Sequence, residues 1–78
     1  MKIRITDYTD YVSGLENNGG AYIYYTTIER SGNKWFRTDS ISCEFESAYG
    51  PWEIDGNEVR DLVERAKLDV NCTVKFLR

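Results

Sequence analysis

Only one stretch of this chain carries a full helical stripe. Val59, Leu62, Val63 and Ala66 recur at i, i+3, i+4 and i+7, which packs one face of a short helix and leaves Arg60, Asp61, Glu64, Arg65 and Lys67 in water. Asp55 stands where an N-cap is needed, and Glu58 three residues later completes a capping box. Nearly everything else alternates with period two or is rich in β-branched and aromatic residues, so this one helix must serve a whole sheet. A single helix covers one face, and the other face stays open. The predicted fold class is therefore α+β, with an antiparallel four- to five-stranded sheet and one amphipathic helix packed on one face. At 78 residues the chain has room for a single domain, 1–78, with one modest core.

The strands follow from alternation. Lys2 to Thr6 points Ile3 and Ile5 inward. Asp7 to Gly20 breaks the pattern; Tyr8, Tyr11, Val12 and Leu15 have the spacing of one helical turn, and Asn17-Asn18-Gly19-Gly20 marks a turn or loop. Ala21 to Arg30 is the densest β-forming run. Ser31-Gly32-Asn33-Lys34 then suits a two-residue type II′ hairpin, with Lys34 to Thr38 as the return strand. That register sets Arg30 against Trp35 and Ile28 against Arg37, placing Tyr22, Tyr24, Ile28, Trp35 and Arg37 on one face and Ile23, Tyr25 and Phe36 on the other. A further strand is expected over Ile41 to Glu46, with Ile41, Cys43 and Phe45 inward and Ser42, Glu44 and Glu46 outward. Ser47 to Ile54 is expected to be a loop stiffened by Gly50-Pro51. A last strand from Cys72 to Arg78 turns Cys72, Val74 and Phe76 inward. The outward positions of the open face are expected to supply tyrosines and acids.

The inventory for catalysis is poor. The chain has no histidine, no nucleophile elbow, no Gly-rich phosphate loop and no cysteine beside a base, so the expectation is that it is not an enzyme. Two thiols without histidine do not make a tetrahedral zinc site. The carboxylate pairs Asp7 with Asp10 and Glu53 with Asp55 offer too few oxygens for a dedicated magnesium or calcium site. No metal and no cofactor is expected. The N-terminus alternates where a signal peptide would be continuously apolar, and no apolar run approaches membrane-spanning length, which predicts a cytoplasmic protein with no membrane partner and two free, buried thiols.

Charge is distributed unevenly. Between Arg37 and Arg60 there is no basic residue, while Asp39, Glu44, Glu46, Glu53, Asp55 and Glu58 give that segment −6 against −3 for the whole chain. Direct nucleic-acid binding is disfavoured by this field, because base-stacking platforms sit in positive potential; Lys2, Arg4 and Lys75 form at most a small basic patch. A protein partner with a basic surface is the better match. The candidate partner-binding residues are the acids Glu44, Glu46, Glu53 and Asp55, with Tyr49 and Trp52 as anchors and Tyr22, Tyr24 and Trp35 beside them, since aromatic residues are enriched in interface hot spots.

In size, acidity, β-rich α+β pattern and lack of catalytic residues, the chain is similar to the small phage-encoded anti-CRISPR proteins, a class with no common motif. The resemblance implies a viral, nucleic-acid-mimicking inhibitor acting in the host cytoplasm. Such an inhibitor would occupy a basic nucleic-acid-binding surface of a CRISPR effector or surveillance complex. The alternative is a generic small protein-interaction module of a larger assembly, pairing through an open sheet edge.

Overall fold

The computed structural model describes residues 1–9, 22–42 and 47–77. It contains five strands and one helix: β1 (Lys2–Asp7), β2 (Ile23–Ser31), β3 (Lys34–Ser42), β4 (Ser47–Ile54), α1 (Gly56–Leu68) and β5 (Cys72–Leu77). They form the expected α+β architecture. The strands make one antiparallel sheet in the order β4-β3-β2-β1-β5, so the two terminal strands of the chain are neighbours.

The β2–β3 hairpin has the expected register, with Arg30 opposite Trp35 and Ile28 opposite Arg37. Gly32 has φ +66, and no described non-glycine residue has positive φ. Positive φ at the first central residue alone fits a type II′ turn, since type I′ would demand it of Asn33 as well.

Asp55 caps α1 as expected, its carboxylate accepting from the Glu58 amide at 2.8 Å. Arg65 and Lys67 lie in the last turn, where cations complement the helix dipole. Val59 and Ala66 are buried against Ile3, Ile5, Ile28 and Ile54, with Trp35, Leu62, Val63, Cys72 and Val74 packed around them. Ile28 is wholly buried, at 0% exposure. Ile3, Ile5 and Ile28 face each other across the central strands, so the core lies between the helix and β5, β1 and β2 and extends to the paired Trp35 and Ile54 at one end of β3 and β4.

Three expectations are corrected. Ser47 to Ile54 is not a loop but the edge strand β4, paired to β3 from Ser47 opposite Ile41 to Ile54 opposite Trp35. The Gly50-Pro51 signal marks a bulge in that strand: Gly50 and Pro51 together stand where β3 offers only Thr38, Gly50 takes φ +105, and the Gly50-Pro51 peptide is cis. Proline is tolerated there because an edge strand need not donate on its outer side. Second, the return strand does not stop at Thr38 but runs on through Ile41 to Ser42; Cys43, Glu44, Phe45 and Glu46 lie outside the described residues, as do Asp10, Tyr11, Val12 and Leu15. Third, Phe76 shares the core-facing phase of Cys72 and Val74 but remains 51% exposed, with Lys67 Nζ 5.5 Å from its ring centre. It sits at the sheet margin, where the short helix does not shield it fully.

Candidate protein-contact site

The bulge decides which side chains meet. In a regular strand Tyr49 and Trp52, three residues apart, would point to opposite faces. The extra residue restores their phase: Tyr49 stands opposite Asp39 and Trp52 opposite Arg37, all on the helix-side face. Gly50 is needed for more than its φ. A Cβ there would lie 2.7 Å from both the Arg37 carbonyl oxygen and the Trp52 ring, so the indole folds back over the glycine backbone.

Arg37 holds this cluster together. Its Nε and Nη2 donate to the two carboxylate oxygens of Asp39 at 2.9 and 3.1 Å, a bidentate pair that is partly buried. The guanidinium also lies 5.5 Å from the Trp52 ring centre, within cation–π range. Tyr24 is opposite Ile41 on the same face, and both are half-buried. Tyr49 remains 59% and Trp52 41% exposed. The result is an aromatic surface set on a neutralised ion pair, outside the core cluster that α1 covers.

The other sequence-predicted residues scatter. Trp35 packs against the core, with the Arg30 guanidinium 5.7 Å from its ring centre. Tyr22 lies just before β2 and is exposed. Glu53 stands opposite Phe36 and therefore on the open face, away from Trp52, with Lys34 Nζ 3.7 Å from its carboxylate. Asp55 is committed to the helix cap. Glu44 and Glu46 lie outside the described residues. The aromatics Tyr49 and Trp52 come together, but neither Glu53 nor Asp55 joins them. Arg37 and Asp39, which complete the cluster, were not among the sequence-predicted site residues; the hairpin register already put Arg37 on the same face as Tyr24, and only the bulge could have linked it to Trp52.

Among the described residues the open face carries Lys2, Arg4, Lys34 and Lys75 against Glu29 and Glu53, while Glu44 and Glu46, the acids expected there, lie outside the described residues. Lys2 is opposite Glu29, while Arg4 is opposite Lys75 and its guanidinium lies 5.7 Å from the Tyr25 ring centre. A shallow concavity of about 510 Å3 lies on this face between Thr27, Glu29, Phe36, Thr38 and Pro51. It holds none of the candidate anchors.

Cys72 is a free thiol, half-buried at the start of β5. Burial, reinforced by the charges of Asp7 and Asp69, pushes its pKa up to about 11. Hydrogen bonds from the Thr9 hydroxyl and then the Thr9 amide hold Asp7 below its ordinary value. A protonated thiol is a poor nucleophile. Among the described residues no three His, Cys, Asp or Glu side chains gather as a metal site, and no described helix is long and apolar enough to cross a membrane.

Comparison with protein-family models, with curated proteins and with solved structures finds no match to this chain.

Proposed function

We propose that the protein is a non-enzymatic binding protein whose contact surface is the Tyr49–Trp52 patch of the helix-side face. The observation that carries this reading is the pair of exposed aromatics brought into one phase by the Gly50-Pro51 bulge and backed by the Arg37–Asp39 ion pair. Trp, Tyr and Arg are the residue types over-represented in hot spots, and a side chain already held by packing loses little entropy on binding. The partner is a protein, and the negative charge of the 38–59 segment favours one with a basic rim.

The narrower proposal is inhibition of a CRISPR effector or surveillance complex through its basic nucleic-acid-binding surface. Its support is the resemblance in size and charge together with this aromatic patch; the scatter of Glu53 and Asp55 moves its weight from the acids to the aromatics. The test is a cell-based CRISPR interference assay with the protein co-expressed, alongside capture of the bound complex. Restored phage infection that is lost in Trp52→Ala, with the variant still folded, supports inhibition through this patch. Unimpaired interference rejects the CRISPR reading, and a captured partner that still depends on Trp52 then supports the general binding module.

A further inference from the structure

The two edges of the sheet are β4 and β5, and they are not equivalent. The bulge and Pro51 interrupt β4. β5 is a regular strand, and the direction of its unused backbone groups follows from two hydrogen bonds. The Tyr8 amide donates to the Asn71 carbonyl at 2.8 Å, just beyond the Asp7–Cys72 pair. Antiparallel ladders alternate bonded and non-bonded pairs, so Thr73, Lys75 and Leu77 bond to β1 whereas Cys72, Val74 and Phe76 direct their N–H and C=O away from it. The other side of β1 gives the same phase: the Arg30 amide donates to the Met1 carbonyl at 3.1 Å, which assigns Ile3, Ile5 and Asp7 to β2. The Cys72 amide is taken by the Asp69 carbonyl at 3.1 Å. Among the described residues no backbone partner meets the N–H and C=O of Val74 and Phe76.

The flanks of this edge differ in chemistry. On the helix side lie Val74 and the half-exposed Phe76; on the open face lie Lys75 and, directly opposite it, Arg4. Neither β1 nor β5 carries an acid on the open face. We propose that the β5 edge is a strand-addition site for an extended peptide of another protein, in which apolar residues alternate with acidic ones. Its backbone bonds to Val74 and Phe76, its apolar side chains rest beside the Phe76 ring, and its carboxylates face Lys75. A second copy of β5 fits less well. The antiparallel pairing that satisfies all four outward groups, Val74 against Phe76, sets the two Lys75 side chains directly opposite each other, and like charges at that position repel.

The probe is a capped six-residue peptide of alternating valine and glutamate, with its valine–lysine counterpart as control, added to the full chain while amide hydrogen exchange is followed by NMR. The glutamate peptide is expected to slow exchange at the Val74 and Phe76 amides by at least about tenfold, leaving Thr73 and Lys75, already bonded to β1, unchanged. Lys75→Glu should reverse the preference between the two peptides, and Lys75→Gln should weaken it; both changes are at an exposed position and leave the core contacts intact. Equal protection by both peptides, or none at Val74 and Phe76, overturns the proposal. Protection of these amides that rises with protein concentration in the absence of peptide, accompanied by dimer in sedimentation, assigns the edge to a second copy and likewise overturns it.

Discussion

One face of one sheet is used in two ways. Over β5, β1 and β2 it carries Ile3, Ile5 and Ile28 under the helix, and these side chains are lost to water almost completely. Towards β3 and β4, beyond the Trp35–Ile54 pair that still belongs to the core, the same face carries Tyr24 of β2 with Arg37, Asp39, Ile41, Tyr49 and Trp52, which remain half-buried or exposed. The first half is aliphatic and holds the domain together through burial. The second half is aromatic and ionic, and its order comes from a bulge, a cation–π contact and a bidentate ion pair. On the proposed reading stability and recognition are separated along a single surface, and changes in the two halves should have different consequences.

The largest effect is expected in the aliphatic half. Ile28→Ala removes a fully buried side chain from the centre of the sheet and should cost about 2–5 kcal/mol, enough to threaten a domain of this size. Urea unfolding measures it. A loss near zero would mean that the core does not centre on β2.

Gly50→Ala comes next, because it strikes the device that orders the aromatic half. Alanine at φ +105 is strained, and its Cβ would meet Arg37 backbone and the Trp52 ring at 2.7 Å. A destabilisation of about 1–3 kcal/mol is expected, together with a changed Trp52 fluorescence spectrum, read in a Trp35→Phe background because the chain has two tryptophans. Gly32→Ala makes a useful control: it shares a positive φ but meets nothing within 4 Å, so it should leave Trp52 undisturbed. Equal spectral changes in the two variants would separate the bulge from the placement of the indole.

The smallest effect concerns protons at the far end of the core half. With its pKa raised to about 11 from an ordinary 9.0, the Cys72 thiol keeps its proton in the folded state where the unfolded chain loses it. Its contribution to stability is therefore complete below pH 9.0 and disappears as pH rises towards 11. The difference in urea midpoint between the wild type and Cys72→Ser should change across that window, and alkylation of Cys72 at pH 8 should be slow until the protein is unfolded. Asp7 acts in the opposite sense: with its pKa lowered by Thr9, its contribution is present above the ordinary carboxylate range and is lost as pH falls through the folded value.

Much of this division could be read from residue pattern, and the failures have definite causes. The helix stripe, its Asp55 cap and the β2–β3 register were legible because each rests on local periodicity or turn chemistry. Gly50-Pro51 was not, because the same dipeptide suits a turn between elements and a bulge within an edge strand, and only pairing with β3 distinguishes them. That one ambiguity controls the site. Reading Ser47 to Ile54 as a loop left Tyr49, Trp52, Glu53 and Asp55 free to act together, whereas strand geometry sends Glu53 to the other face and gives Trp52 to Arg37. Phe76 shows the limit of phase alone, since alternation gives a side chain's direction and not how far the helix extends over it.

The central claim is that the aromatic half serves recognition and contributes little to the fold, and its most direct test pairs two measurements on Trp52→Ala. Affinity capture with the wild type first defines a partner. Trp52→Ala should then retain a urea midpoint close to that of the wild type while losing more than about 2 kcal/mol of binding to that same partner, and Glu53→Gln, altered on the opposite face, should bind as the wild type does. A folded Trp52→Ala protein that captures the partner undiminished would contradict the account.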